Sequence, residues 1–351
     1  MQKIKTALLS YGMSGKVFHA PFIEMHAGFE LIGSWERSKK LIHNDYPTVK
    51  SYSSIEELLA DDVDLVIVNT PVDTHYQYAK QVLNAGKHAI VEKAFTTTAK
   101  EAQELKNLAE EKALKLAVYQ NRRWDSDFKT VKSVLDENIL GEIIEAEIRF
   151  DRFNPSLSPK NWKESDNPGA GILKDLGPHI IDQALCLFGF PNAVFADIRT
   201  VRENSQVNDN IDIILYYDAK RVRLHAGFFN KEQFPGFTLQ GRNGSFLKSR
   251  ADIQEDVLKT GAKPNLENWG KEPIEKEGLL NINVNGESIR KTIPTLNGNY
   301  YDFFEGVYQS IVFDKKEPVT ADDGLKVMQI IEAAIESSNQ KKVINLNSNG
   351  K

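Results

Sequence analysis

The chain has 351 residues, 41% hydrophobic and 26% charged, which fits a globular protein with room for two domains. Its net charge of -5 and pI near 5.9 argue against a nucleic-acid binder, which usually carries a basic face. A single cysteine (Cys186), no signal-peptide core in residues 1–20 and no apolar run of membrane-spanning length together predict a cytoplasmic protein without disulfides.

The first predicted element is a strand followed by a turn of small residues. Residues 3–9 form a short apolar run, residues 10–15 (SYGMSG) form the turn, and residues 16–18 open a helix. Such a turn brings backbone N–H groups and a helix N-terminus to a pyrophosphate. Ser10 stands where the dinucleotide fingerprint expects its first glycine, so the motif alone leaves a nucleotide site and an ordinary turn equally open.

Strands and helices then alternate as far as residue 119. The predicted strands are 29–33, 64–68, 88–91 and 114–119, and the helices between them are 54–59, 74–85 and 98–112, the last opened by a Thr98–Glu101 capping box. The run 64–68 is apolar throughout, as in a strand buried on both faces of a parallel sheet. The alternation predicts a doubly wound, dinucleotide-binding Rossmann domain over residues 1–122.

In such a sheet the ligand lies beyond the carboxyl ends of the strands. Glu36, at the end of the second strand, would bind ribose hydroxyls and favour NAD, whereas Arg37 with Ser38 would pair with a 2′-phosphate and favour NADP. We favour NADP on Arg37 and leave NAD open. The other candidate cofactor residues at the strand ends are Ser10, Gly12, Met13, Ser14, Gly15, Asn69, Thr70, Pro71, Glu92, Lys93 and Asn121.

Lys93 follows the predicted strand 88–91 directly. A lysine at this strand end can reach the nicotinamide side of the cleft and donate a hydrogen bond to a substrate oxygen. A solvated strand-end lysine is the alternative, and composition alone favours it.

From residue 123 the pattern changes to that of an α+β domain. Residues 143–151 alternate strictly between apolar and charged side chains, as in a half-buried strand. Further strands are predicted at 194–201, 211–217, 221–229, 238–241 and 280–284, helices at 126–138, 173–188, 300–313 and 321–339, and polar loops at 154–171 and 258–276. The pattern predicts an open, mostly antiparallel sheet within residues 123–351, whose uncovered face a second subunit of a homo-oligomer could cover.

The predicted helix 173–188 carries the residues best suited to acid–base chemistry. Asp175, His179 and Asp182 occur at i, i+4 and i+7, on one helical face. A carboxylate beside an imidazole raises the imidazole pKa and fixes its tautomer, which suits a general base near neutrality. A capping aspartate with a surface histidine is the commoner outcome of this spacing. No metal site is predicted, because no further His or Cys ligands cluster nearby.

Five short motifs then occur in the order and at the spacing of one enzyme family. They are residues 12–21 (GMSGKVFHAP), Asn69-Thr70-Pro71 with His75, Glu92-Lys93, residues 121–125 (NRRWD) and residues 175–179 (DLGPH). Across essentially its whole length the chain resembles the glucose–fructose oxidoreductase/inositol dehydrogenase/MocA (Gfo/Idh/MocA) family. Within that family it looks most like the NADP-dependent scyllo-inositol dehydrogenases.

The resemblance implies an NAD(P)-dependent oxidoreductase that moves hydride between nicotinamide and a secondary alcohol of a cyclitol or sugar. It implies that Lys93 bonds the substrate oxygen and the cofactor ribose, and that His179 is the acid/base with Asp175 beside it. It also adds His75 to the cofactor residues. Candidate substrate residues are Arg122, Arg123, Asp151, Arg152, Asn154 and Trp162, although a salt-bridged domain junction is the alternative for the first two.

Two residues depart from the family pattern. Ser10 replaces a glycine, which the backbone tolerates if φ there is negative. Ala94 replaces the motif proline, so we expect Lys93 to be slightly less pre-positioned. A nucleotide-binding sensor without chemistry is the main alternative function, but a sensor needs neither Lys93 nor His179. A reductase of imines or biliverdin-like substrates is a further alternative, and the substrate, its stereochemistry and the direction of reaction stay open.

Overall fold

A computed structural model of the chain describes residues 3–36, 39–158, 164–165 and 167–346. The chain divides into two compact units. The first unit runs to Trp124 and also contains Ile253–Trp269 and Asn299–Leu325, and the other described residues form the second. The chain therefore enters the first unit three times, whereas the sequence analysis divides it once, between residues 122 and 123.

The first unit is built on a six-stranded parallel sheet. Its strands are β1 (Ile4–Leu8), β2 (Phe29–Trp35), β3 (Lys50–Tyr52), β4 (Leu65–Val68), β5 (His88–Glu92) and β6 (Leu116–Tyr119), in the order β3-β2-β1-β4-β5-β6. Every pairing is parallel, and all four residues of β4 are buried, as the apolar run predicts. The short strand β3 has no counterpart in the sequence analysis.

Helices connect these strands in the chain. They are α1 (Ala20–Met25), α2 (Ile42–Asp45), α3 (Ile55–Ala60), α4 (Val72–Asn84) and α5 (Ala99–Glu111), and a π-helical turn, Gly15–His19, precedes α1. The predicted capping box is present, because Thr98 accepts the backbone N–H of Glu101 and the Glu101 carboxylate accepts that of Thr98. Helix α2 was not predicted.

The second unit contains a nine-stranded mixed sheet. Its strands are β7 (Ile143–Asp151), β8 (Ala193–Arg199), β9 (Asn210–Tyr216), β10 (Arg221–Gly227), β11 (Phe237–Gly241), β12 (Gly244–Lys248), β13 (Gly278–Val284), β14 (Glu287–Ile293) and β15 (Ile344–Asn345), in the order β14-β13-β12-β11-β7-β10-β9-β8-β15. All pairings are antiparallel except that of β7 with β10. The predicted fold class, a Rossmann domain followed by an α+β domain with a mostly antiparallel sheet, is confirmed.

The remaining helices include one that departs from prediction. They are α6 (Ser126–Asp136), α7 (Ile172–Asp175), α8 (Gly177–Phe188), α9 (Gln254–Lys259), α10 (Tyr301–Phe313) and α11 (Ala321–Gln340). The predicted helix 173–188 is two helices, α7 and α8, which meet at Leu176. Pro178 accounts for the break, because it has no N–H and its ring would clash with the carbonyl of Lys174 in a continuous helix. The regular i, i+4 spacing of Asp175 with His179 is therefore interrupted at Leu176, whereas His179 and Asp182 lie in the same helix, α8.

Candidate active site

The nucleotide loop lies between β1 and the π-helical turn, and Gly15 closes it tightly. A Cβ built on Gly15 would lie 2.4 Å from the carbonyl oxygen of Ser10 and 3.0 Å from Nδ2 of Asn69. Only glycine allows the helix start to approach the strand end this closely. The loop therefore has the close backbone packing that the last glycine of a dinucleotide fingerprint provides.

Ser10 takes the place of the first fingerprint glycine without requiring a glycine conformation. Ser10 is not among the described residues with positive φ, and its Oγ accepts the backbone N–H of Gly12 over 3.2 Å. Asn69, at the end of β4, donates from Nδ2 to the carbonyl oxygen of Ser10 (2.8 Å) and to Oγ of Ser14 (3.2 Å). The loop is therefore fixed by its own serine and by the neighbouring strand end.

The first unit has features that fit a bound dinucleotide. Oδ1 of Asn69 and Oε1 of Gln120 are buried and meet no hydrogen-bond partner among the described residues. Both residues follow strands of the parallel sheet, β4 and β6, at the edge where such sheets bind nucleotides. Buried acceptors are normally satisfied, so these two oxygens are suited to hydroxyl or amide donors of a cofactor. Met13 in the loop is largely exposed.

Glu36 is engaged with the backbone of helix α2. Its Oε1 accepts the N–H of Leu41 over 2.9 Å, and its Oε2 accepts the N–H of Ile42 over 3.1 Å. Arg37 and Ser38, the predicted 2′-phosphate ligands, lie outside the described residues. The acidic residue that could favour NAD thus has both carboxylate oxygens directed to a helix N-terminus.

His75 connects the residues that follow β4 and β5. Its Nε2 lies 2.8 Å from the carbonyl oxygen of Thr70, and its Nδ1 lies 2.9 Å from that of Ala94. The ring is fully buried, and burial lowers the pKa of His75. Thr70 and Pro71 lie directly before α4, and the hydroxyl of Thr74 in that helix donates to the carbonyl of Pro71 over 2.7 Å.

Lys93 is half-buried directly after β5, and Glu92 is the last residue of that strand. Oε2 of Glu92 accepts the backbone N–H of Lys93 over 3.2 Å, and Nε2 of His19 lies 2.8 Å from Oε1. Ala94 is fully buried, and the Lys93–Ala94 peptide bond is cis. No role for His19 is predicted from the sequence, although this residue belongs to the motif 12–21.

The two arginines that follow β6 contact other residues of the first unit. Asn121 is buried. Arg122 donates to the hydroxyl of Tyr300 over 3.1 Å and forms an ion pair with Glu255. Arg123 lies 3.7 Å from a carboxylate oxygen of Asp323. The two predicted substrate arginines therefore both face carboxylates of their own unit.

In the second unit, His179 lies in the first turn of α8 and is 5% exposed. Its ring packs against Phe150 of β7, with 6.3 Å between ring centroids. Asp175 ends α7, where its N–H donates to the carbonyl of Gly171 over 3.0 Å. The break at Leu176 separates the helices of these two residues, so a direct orienting contact between them stays a prediction.

Three of the remaining predicted substrate residues are described, one at the end of β7 and two shortly after it. Asp151, next to Phe150, points to the opposite face and accepts Nε of Arg149 (2.7 Å) and Nδ2 of Asn230 (3.1 Å). Arg152 is exposed, and its guanidinium lies 5.3 Å from the centre of the Phe150 ring. Arg152, and not Asp151, therefore lies beside the Phe150 ring that also packs against His179. Asn154 is exposed, and Trp162 lies outside the described residues.

The described residues form neither a membrane-spanning helix nor a metal centre. No helix there is both long and apolar enough to cross a membrane. No group of three or more His, Cys, Asp or Glu side chains in the same part of the chain is arranged to hold a metal ion.

Two family models match consecutive parts of the chain. Residues 4–120 match "Oxidoreductase family, NAD-binding Rossmann fold", and residues 132–346 match "Oxidoreductase family, C-terminal alpha/beta domain", which are the two halves of the Gfo/Idh/MocA model pair. Both halves of the fold described above are therefore those of one oxidoreductase family.

Individual relatives agree with this match over nearly the full length. The chain is 37% identical to scyllo-inositol 2-dehydrogenase (NADP(+)) IolW of Bacillus subtilis (strain 168), covering 98% of this chain and 96% of that protein. It is 38% identical to the uncharacterized oxidoreductase C115.03 of Schizosaccharomyces pombe, covering 99% and 100%. The solved structure of yvaA from Bacillus subtilis superimposes with a TM-score of 0.94 at 36% identity, covering 99% of each chain.

Proposed function

The chain belongs to the Gfo/Idh/MocA oxidoreductase family, and we propose that it is an NADP-dependent dehydrogenase acting on a secondary alcohol of a cyclitol or sugar. The observation that carries the proposal is Lys93, a lysine directly after a buried strand of the nucleotide-binding sheet, with its backbone N–H held by Glu92. A protein that only bound the dinucleotide would not need an ammonium group there. The similarity to a scyllo-inositol 2-dehydrogenase supports the substrate class.

The proposed preference for NADP depends on Arg37 and on the position of Glu36. An acidic residue selects NAD when its carboxylate accepts hydrogen bonds from the ribose hydroxyls. Both oxygens of Glu36 instead accept backbone N–H groups at the start of α2. The name of the IolW relative, which specifies NADP(+), supports the same preference.

The proposed reaction assigns one step to each catalytic residue. A bound nicotinamide would supply the hydride acceptor. His179 would take the proton of the reacting hydroxyl, while Lys93 would donate a hydrogen bond to the same oxygen and stabilise its developing negative charge. Asp175 would orient His179. Arg152 and Asn154 are the exposed polar residues that we propose as polyol ligands.

The proposal is tested by measuring reduction of NADP and of NAD across a panel of inositols and aldoses. We expect turnover with NADP on at least one cyclitol, and a loss of about 10²-fold or more in Lys93→Ala and in His179→Ala. Lys80→Ala, which changes an exposed lysine of α4, is the matched control. Wild-type turnover in both Lys93→Ala and His179→Ala would contradict the catalytic roles proposed for these residues. Tight NADPH binding without oxidation of any substrate would favour a nucleotide-binding sensor. Reduction of NAD alone would contradict the role proposed for Arg37.

We also propose that the protein acts in the cytoplasm as a homo-oligomer that covers the open face of the second sheet. Charged side chains along β7 that stay partly exposed, such as Glu147 (28%) and Arg149 (11%), support an interface with polar character. Light scattering in solution gives the oligomeric state, and a strictly monomeric particle would contradict this part.

A further inference from the structure

A buried histidine–glutamate pair lies directly beside Lys93. Nε2 of His19 lies 2.8 Å from Oε1 of Glu92, and the His19 side chain is fully buried. The Glu92 side chain is 12% exposed. Because a carboxylate in such surroundings can only accept, the histidine is the donor of this hydrogen bond.

The second oxygen of the same carboxylate reaches the backbone of Lys93. Oε2 of Glu92 accepts the N–H of Lys93 over 3.2 Å. One carboxylate therefore joins the imidazole of His19 to the main chain from which the Lys93 side chain extends. A change in the Glu92 rotamer would release that main-chain contact.

The rotamer of Glu92 is fixed by a histidine that is itself tightly packed. His19 ends the π-helical turn that follows the nucleotide loop, so its position depends on that loop. Its ring lies 4.4 Å from the ring of Tyr119 and 6.2 Å from that of Phe304. Tyr119 pairs with Glu92 across β5 and β6, and its hydroxyl donates to the carbonyl of Phe18 over 2.9 Å.

The charges around Glu92 favour the ionised form. Burial alone raises the pKa of a carboxyl group, but the hydrogen bond and charge of His19, together with the charges of Lys93 and His75, hold the pKa of Glu92 below its usual range. Its negative charge therefore acts on the Lys93 ammonium as well as on His19.

We propose that His19 and Glu92 are positioning residues for Lys93: His19 fixes the Glu92 carboxylate, and the carboxylate fixes the backbone from which the lysine side chain extends. The inference rests on the proposed catalytic role of Lys93. Through His19, the nucleotide loop and the catalytic lysine are linked by a single chain of hydrogen-bonded and packed side chains.

The first unit contains a second histidine–glutamate pair, His26–Glu305, which serves as a structural control for the His19–Glu92 pair. Nε2 of His26 lies 2.9 Å from Oε2 of Glu305, and the His26 side chain is 4% exposed. That ring packs against Tyr301, Tyr308 and Phe29. Loss of His26 should therefore cost stability without changing Lys93.

The first test measures Lys93 itself and needs neither substrate nor cofactor. The rate of acetylation of each lysine by acetic anhydride is followed by peptide mass spectrometry as a function of pH, with Lys80 as an internal reference. Glu92→Gln and His19→Leu should each speed the labelling of Lys93 by about threefold or more, because each weakens the contact that holds the Lys93 main chain and the half-buried side chain then becomes more accessible. His19→Gln, which keeps an N–H donor, should stay near wild type, and His26→Leu should leave Lys93 unchanged.

The second test measures steady-state kinetics with NADP and the substrate found by the panel. His19→Leu should lower kcat by about tenfold or more while the KM for NADP changes by less than about twofold, and His19→Gln should recover most of the loss. Circular dichroism confirms that each variant folds, and Glu92→Gln replaces His19→Leu if the latter does not.

The outcomes separate this inference from the proposed function. Unchanged Lys93 labelling in both His19→Leu and Glu92→Gln would overturn the positioning role, even if the wild type is an active dehydrogenase. Equal effects of His26→Leu and His19→Leu on kcat would overturn it too. Faster Lys93 labelling in a protein that oxidises no polyol would instead support the positioning network and count against the dehydrogenase.

Discussion

Replacing Gly15 by alanine is expected to displace the nucleotide loop. The new Cβ would lie 2.4 Å from the carbonyl oxygen of Ser10, about 1 Å closer than an ordinary contact of 3.4 Å. It would also lie 3.0 Å from Nδ2 of Asn69, the atom that donates to the same carbonyl over 2.8 Å. Because these neighbours are a main-chain carbonyl and a buried amide, the strain cannot be relieved by turning an exposed side chain.

The size of the effect follows from the kind of overlap. Overpacking a tight interior position costs about 1–3 kcal/mol, and each kcal/mol lowers the melting temperature of a unit of this size by about 2–4 °C. A loop moved by about 1 Å also no longer presents its N–H groups to the pyrophosphate. We therefore expect the Kd for NADPH to rise by at least about tenfold, which corresponds to about 1.4 kcal/mol.

The assay combines a thermal melt of the cofactor-free protein with a fluorescence titration of NADPH. Gly12→Ala is the matched stability control in the same loop, because the nearest atom to its Cβ would be Oγ of Ser10 at 3.4 Å. We expect that control to change stability by less than about 0.5 kcal/mol. Two results would contradict this reasoning: a melting temperature of Gly15→Ala equal to that of Gly12→Ala, and NADPH binding as tight as in wild type. The close approach at Gly15 would then not determine the conformation of the loop.

Three further changes test other contacts. Burial raises the pKa of Glu255, but the charges and hydrogen bonds of Arg122 and Lys259 lower it to about 2, well below 4.5. Their contribution to stability is therefore complete above pH 4.5 and is lost as the pH falls toward 2. The free energy of unfolding of Arg122→Met should therefore be about 1.5–3 kcal/mol below that of wild type at pH 7, and the difference should shrink below pH 3 in melting scans. A difference in stability that does not change with pH would contradict the ion pair. Lys248→Met should lower the free energy of unfolding in urea by about 3–5 kcal/mol, because it leaves Glu272 buried without its cation. The double variant with Glu272→Leu should recover part of that stability. Thr98→Ala should cost about 1 kcal/mol and leave the Kd for NADPH unchanged, whereas no loss would mean that the capping box does not stabilise α5.

Local sequence patterns predicted an element correctly where the residues that identify it lie within one short segment. The apolar run at β4 and the alternation along β7 each identify a strand, because burial on two faces or on one imposes a characteristic spacing of apolar residues. The Thr98–Glu101 capping box identifies a helix start for the same reason, since both partners lie within one turn. The family motifs depend in the same way on residues close together in the chain.

Contacts between residues far apart in the chain could not be predicted from local sequence patterns. The segments 253–269 and 299–325 return to the first unit, and nothing in their own composition indicates which sheet they join. The parallel pairing of β7 with β10 is of the same kind, because strand order depends on long-range packing. The predicted helix 173–188 failed for a different reason: its apolar spacing was weighed above Pro178, and the lost N–H and the ring clash decided the break.

The nucleotide loop, the lysine after β5 and the family could be predicted from consecutive residues, because each is carried by a segment with a fixed local geometry. The tertiary structure supplies the residues that surround them. It turned Glu36 toward the N-terminus of α2, paired Arg122 with Glu255, and placed His19 against Glu92 across 73 positions of the chain. Those contacts join side chains from separate elements, and the free energy that selects them comes from packing and from satisfying buried charges, which no single segment encodes.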